Sequence, residues 1–400
     1  CCCELWNSPS SGAGLPGRVG NVWIMLVLLV ARAAAPGVEQ AGDGLRIALA
    51  DPDRLMRVKA AATAGDERLA PAMAALVRAA DEALTAGPFS VVDKPMTPPS
   101  GDKHDYISVG PYWWPNPDTK DGLPYVRHDG KTNPDRGKYD NVPLGGMTKA
   151  VETLALAYYL TGREAYAGRA VLLIRTWFLD EATRMNPHLR FGQGIPGRCE
   201  GRGTGIIDTT GLAAFLDAVY LLEGSEAWTA ADQAGLEAWF GSYLDWLLTS
   251  DLGRDEAAAK NNHGTWYDVQ AASFARFVGR DDIVRRVLGE SAKRRIASQI
   301  EPDGRQPHEL ARTKSFSYSV MNLTGMFHLA AMADRAGIDL WNYRTEDGRG
   351  IRAALEWILA ELEREGGWSY PQLGEVRPQT VVPLLRRAAI AYNEPRYEAL

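Results

Sequence analysis

Two stretches hold most of the groups able to move protons. "KNNHGTWYDVQ", Lys260 to Gln270, sets Asn261, Asn262, His263 and Tyr267 close together in a chain with six histidines. "HELARTKSFSYS" sets His308, Glu309, Arg312 and Tyr318 in a second cluster. Amides, an imidazole, a guanidinium and phenols together suit chemistry without covalent attack. β-Elimination at a uronic acid needs that set. The C5 proton is weakly acidic until the neighbouring carboxylate is neutralised, which amide and guanidinium donors achieve by stabilising the developing enediolate. A His or Tyr removes the proton and a Tyr protonates the departing O4.

Other chemistries find less support. "HELAR" fails the two-histidine zinc pattern, because Arg312 stands where the second His belongs. Three of the four cysteines are the first three residues and only Cys199 lies in the body, so neither a disulfide framework nor a cysteine metal site is expected. No serine elbow or phosphate loop is present. Neither metal nor cofactor is expected.

Two further segments carry contacts suited to a sugar. "YISVGPYWWPNPD" holds Tyr112, Trp113 and Trp114, and a flat indole can lie against the C–H face of a sugar ring. "NPHLRFGQGIPGRCEGRGTGIID" holds His188, Arg190, Gln193, Arg198 and Arg202, interleaved with glycines that suit close approach of backbone to a ligand.

These segments connect helices. Downstream of "PDRLMRVKAAA" and "LAPAMAALVRAADEAL", Pro, Gly, Asp and Asn exclude long helices from about Pro88 to Asn141. Helix pairs then recur around turns at Gly162, Gly224, Gly279, Gly337 and Asn393, at spacings of 62, 55, 58 and 56. Gly or Asn there suits the left-handed conformation that ends a helix. Such hairpins stack into an open solenoid or close on themselves, and the long polar and aromatic connections favour closure. The expected class is all-α: an incomplete α/α toroid of stacked hairpins with long mouth loops, over residues 45–400.

The chain of 400 residues has 46% apolar and 24% charged residues and a net charge of −6, which gives no global attraction to nucleic acid or to anionic membranes. The apolar run Val22 to Ala31 is too short to span a bilayer, and with Arg18 before it and "RAAAP" after it, it reads as a cleaved secretory signal. Residues 1–35 are therefore expected to be leader, the enzyme secreted or periplasmic and, after cleavage, not inserted in a membrane. A monomer is expected. The end at "NEPRYEAL", where another helix should begin, reads as a fragment lacking its last helix.

"NNHGTWYDVQ", "HELARTKSFSYS", "YISVGPYWWPNPD" and "QGIPGRCEGRGTGIID", in that set, resemble segments of the alginate lyase superfamily, α/α-toroid polysaccharide lyases acting on polyuronates. The resemblance runs from about Leu55 to Leu400. It implies that Asn262 neutralises the substrate carboxylate and that His263 acts as base or neutraliser. Arg312 would pair with the carboxylate, and Tyr318 would be the acid and a candidate base. Tyr112, Trp113, Trp114, His188, Gln193, Arg202, Asn261 and Tyr267 would contact the anionic chain. Arg312 and Tyr318 are six apart and out of phase on a continuous helix, so they converge only if the segment between them is partly non-helical or the substrate lies between them. The competing readings are a glycoside hydrolase, with Glu309, Asp268 and Asp208 as candidate carboxylates, and a non-catalytic envelope polysaccharide-binding protein.

Overall fold

The structure is a computed structural model that describes residues 47–399; the leader expected at residues 1–35 lies outside them. The described residues fall into two compact units interleaved along the sequence: residues 47–107, 137–188 and 211–243, and residues 108–136, 189–210 and 244–399.

The first unit contains helices α1 (Pro52–Thr63), α2 (Ala70–Ala83), α3 (Asn141–Thr161), α4 (Glu164–Ile174) and α5 (Leu212–Tyr220). Asp51 caps α1 by accepting from the Arg54 N–H at 3.1 Å, with Pro52 at the first helical position, where its missing N–H costs nothing. The α3–α4 hairpin turns at Gly162, whose φ of 70° lies in the left-handed region. Phe178, Phe215, Trp239 and Phe240 form an aromatic core, with the Phe178 and Trp239 rings 4.7 Å apart edge to face. Asp217, 1% exposed on α5, accepts the backbone N–H groups of Ala48, Leu49 and Ala50 at 2.5, 2.9 and 2.8 Å. One buried carboxylate thus ties the first described residues to the unit.

Helix α6 (Ala230–Thr249) leads into the second unit, which contains α7 (Asp251–Ala258), α8 (Asn262–Phe277), α9 (Asp281–Ser291), α10 (Pro307–Leu310), α11 (Ser315–Arg335), α12 (Ile351–Glu363) and α13 (Val382–Ala391). The expected turns at Gly224, Gly279, Gly337 and Asn393 all take positive φ: 86°, 72°, 71° and 50°. Helix α8 is buried on nearly every side, so its polar residues must find protein partners. Arg295 supplies several. Its guanidinium forms a two-pronged pair with Asp268 at 2.7 and 2.9 Å and donates to the carbonyls of Ala257 and Ala259. That arrangement fixes the link from α7 to α8, immediately before His263.

Gly264 leaves room for it. A Cβ at this position would lie 2.1 Å from the Ala259 carbonyl oxygen and 2.4 Å from an Arg295 guanidinium nitrogen. Gly264→Ala should therefore cost about 1–3 kcal/mol of stability by overpacking, read from denaturant unfolding, and should reduce turnover by displacing the start of α8. Asp217→Ala leaves three buried donors without their acceptor and should cost about 2–4 kcal/mol. Proteolysis near residues 47–50 should rise in that variant.

Candidate active site

The second unit brings four of the expected residues to one place through contacts that can be followed atom by atom. Asn262 is wholly buried at the first turn of α8. Its backbone N–H and its side-chain amide both donate to Glu309 on α10, at 2.6 and 2.7 Å. Burial pushes the Glu309 carboxyl upward, and the two Asn262 bonds and the charges of His263 and Arg312 oppose that shift. Next in sequence to Asn262, the His263 ring offers Nδ1 to Glu256 Oε1 at 2.7 Å. Asn261 caps α8, its side-chain oxygen accepting from the His263 N–H at 3.3 Å.

One residue after Glu309 the chain leaves α10, and residues 311–314 are not α-helical before α11 starts at Ser315. This break resolves the phase problem between Arg312 and Tyr318. The Arg312 guanidinium carbon lies 4.1 Å from the centroid of the Tyr318 ring, and Nη2 is 3.2 Å from the phenol oxygen. The Tyr112 hydroxyl reaches the same oxygen at 2.7 Å. Burial dominates Tyr318 and raises it above the ordinary phenol value, against the lowering effect of Arg312 and Tyr112; the free enzyme holds a protonated phenol at neutral pH.

The loop from Gly110 to Asn133 delivers the remaining partners. Trp113 and Trp114 pair antiparallel with Arg127 and Val126. The His128 N–H donates to the Tyr112 carbonyl at 2.8 Å, which carries Asp129 to Arg312 at 3.1 Å. Burial works against the charge on Asp129, but hydrogen bonds from Arg312, Thr313 and Arg127, with the Arg312 charge, hold it at about 2. Arg312 is thereby aimed by a permanent anion. Arg198 lies over Trp113 at 5.3 Å, and Trp114 donates its indole N–H to the Lys131 carbonyl at 2.9 Å. Both indoles are half-buried.

Arg202 donates to the carbonyl and side-chain oxygens of Gln193, both at 2.9 Å, and Gln193 in turn donates to Asp208 at 2.9 Å. Burial lowers the Arg202 guanidinium, and the charges of Cys199, Asp208 and Glu256 are among those that oppose the shift. Gln193 is thus a buried brace, 3% exposed with a φ of 47°, rather than a ligand contact. The glycines around it also differ from expectation. A Cβ on Gly205 would lie 2.4 Å from the Gly192 carbonyl, and one on Gly201 would lie 2.0 Å from that of Arg190. They admit backbone against backbone.

Two expected contacts fall elsewhere. Tyr267 is a core residue, 5% exposed, whose hydroxyl donates to the Leu247 carbonyl at 2.9 Å; burial pushes its phenol up to about 12. The i,i+4 spacing from His263 follows α8, but the buried face takes Tyr267 into the interior. His188 belongs to the other unit, where Nε2 lies 3.1 Å from Asp105. The sequence reading missed Glu256 and Asp129. Glu256 stands in "RDEAAA", which looks like a solvated helix face, and Asp129 in an ordinary turn signal. Among the described residues no group of three or more His, Cys, Asp or Glu side chains could hold a metal ion.

The arrangement is a protonated phenol gripped by an arginine, an imidazole braced by a carboxylate, and neutral amides. That is the equipment of a proton-transfer enzyme on a helical scaffold. The family model for alginate lyase matches residues 90–368. A crystal structure of an alginate lyase from Bacteroides ovatus is similar at 44% identity, covering 88% of this chain and 94% of that one, with a TM-score of 0.85. Two variants of alginate lyase A1-III complexed with tetrasaccharide share the fold at 16% and 18% identity. They cover 87% and 79% of this chain and 88% and 83% of theirs, with TM-scores of 0.55 and 0.53. A comparison with curated proteins returned no match. The chain belongs to the alginate lyase family, and so to the polysaccharide lyases of all-α, α/α-toroid class.

Asp129 predicts a pH dependence. Its folded value, about 2, lies below the ordinary 3.8, so the stability it contributes is present above 3.8 and is lost as pH falls toward 2. Wild type should exceed Asp129→Asn in stability at neutral pH, and denaturant titrations should show the gap closing across that acidic window. A gap that stays constant to the acid limit would remove Asp129 from this role.

Proposed function

We propose that the enzyme cleaves a 1,4-linked polyuronate of the alginate or glucuronan type by β-elimination. The carrying observation is Tyr318, a phenol kept protonated by burial and gripped by Arg312. In this reading Arg312 meets the substrate carboxylate and stabilises the charge that develops as C5 loses its proton. His263 Nε2 accepts that proton. The electron pair left at C5 forms the C4–C5 double bond, the C4–O4 bond breaks, and Tyr318 gives its proton to O4. Tyr112 re-forms the hydrogen bond to Tyr318 after turnover. Asn262, committed to Glu309, supports the start of α8 in place of the direct neutralising role the resemblance implied.

Arg127, Arg198, Arg202 and Arg312 gather cationic groups in the same unit of an acidic chain, which suits an anionic polymer. A polymer of that size is met outside the cytoplasm, in keeping with a secreted or periplasmic enzyme. The hydrolase alternative loses support from its carboxylates: Asp268 is spent on Arg295, Glu309 on Asn262, and Asp208 on Ser108 and Gln193. A second reading has Tyr318 as both base and acid. It is favoured by the hydrogen bonds from Arg312 and Tyr112, which both stabilise a phenolate.

The test is a panel of polymannuronate, polyguluronate, mixed alginate and glucuronan, followed by the ultraviolet absorbance of the new double bond. Tyr318→Phe should lower kcat by about 10²–10⁴-fold with substrate binding retained, since only the hydroxyl is lost. Arg312→Ala should impair both kcat and KM. His263→Gln should lose comparable turnover; activity near wild type in that variant would select the second reading. Products without the double bond would overturn the lyase chemistry altogether.

A further inference from the structure

Glu256 is the carboxylate that the proposed reaction leaves unexplained. It sits on α7, seven residues before His263, with a side chain 2% exposed beside an imidazole 17% exposed. Among the described residues, the hydrogen bond to this carboxylate comes from His263 alone, at 2.7 Å. A buried carboxylate with one partner is costly to keep, because desolvation disfavours its charge. Its neighbours hold it in place. Gly203 packs so tightly on α7 that a Cβ there would lie 3.1 Å from the Glu256 nitrogen and 2.8 Å from the Leu252 carbonyl oxygen. Ser250 caps the same helix by accepting from the Gly253 N–H at 3.0 Å. Arg202 adds a favourable charge within range. At the other end of the contact, Arg295 and Gly264 fix the start of α8, so neither member of the pair can drift.

An ionised carboxylate accepts but cannot donate. Facing Nδ1, it requires the proton to be on Nδ1, which in the neutral imidazole leaves Nε2 with its lone pair. Among the described residues none makes a hydrogen bond to Nε2. We propose that Glu256 is a positioning residue that fixes His263 as the Nδ1–H tautomer and so assigns Nε2 as the nitrogen that meets the substrate. This rests on the reading of His263 as a working residue of the lyase site. Gln at position 256 keeps the size but loses the discrimination, since an amide can donate to Nδ1 as readily as accept from it.

The experiment is nitrogen NMR of histidine-labelled full-length protein without substrate, with His263 assigned by loss of its signals in His263→Gln. Wild type should show Nδ1 protonated and Nε2 bare. Glu256→Gln should shift the population toward the Nε2–H form and lower kcat by about 10²-fold or more with KM little changed, as when the carboxylate behind a catalytic histidine is replaced by an amide. Glu256→Asp, which keeps the charge, should retain the wild-type tautomer and recover part of the turnover. Thermal unfolding of each variant identifies any that fails to fold; the wild-type spectrum decides the tautomer even then. An Nε2–H tautomer in wild type overturns the proposal, as does a Glu256→Gln enzyme with shifted tautomer and unchanged kcat. The spectrum needs no substrate, so failure of the lyase reading would appear separately, as products without a double bond.

Discussion

The contact between Glu309 and the first turn of α8 sets the geometry of the site. Two hydrogen bonds below 2.8 Å join a short helix to a buried amide, and they tie the start of α8 to the segment that carries Arg312. Downstream of Glu309, three residues bring Arg312 into position. Beside Asn262, the next residue is His263. A helix N-terminus carries unsatisfied N–H groups and a partial positive charge, so a carboxylate there is stabilised. Here a protein carboxylate occupies that end and leaves the neighbouring side chains to meet a substrate.

Several polar groups of the site are backed by a buried or half-buried carboxylate. Asp129 stands behind Arg312, Glu256 behind His263 and Asp208 behind Gln193 and Arg202. Such pairs add little net stability, because desolvation offsets much of the Coulomb gain. Their value is directional. They hold long side chains in one rotamer before substrate arrives, which lowers the reorganisation needed in the transition state.

Glycine serves the same end by a different route. Gly264 admits Arg295 against the carbonyl of Ala259, and Gly205 admits the backbone of Gly192. In both places a methyl group would overlap main-chain atoms, which cannot move aside as a flexible side chain can. The glycine-rich segment from Gly192 to Gly205 is therefore a packing device that holds Gln193 and Arg202, and its sequence resembles a ligand-cradling loop only because both uses demand the same missing Cβ.

The hairpin period, the turn positions and the break before Asn141 were all legible in the sequence, because helix ends are decided locally. Gly162, Gly279 and Asn393 adopt positive φ wherever the chain goes next. The pairing of Arg312 with Tyr318 was half legible: helical phase left either a break or a substrate between them, and residues 311–314 provide the break. What the sequence could not yield was the partner of each polar group. Tyr267 and His263 share a helix at a spacing that suggests a common task, yet one faces Leu247 in the core and the other Glu256. Glu256 in "RDEAAA" is indistinguishable from a solvated glutamate until α7 is packed. Local propensity fixes where elements stop; which carboxylate stands behind which catalytic group depends on long-range burial, and only the tertiary structure decides that.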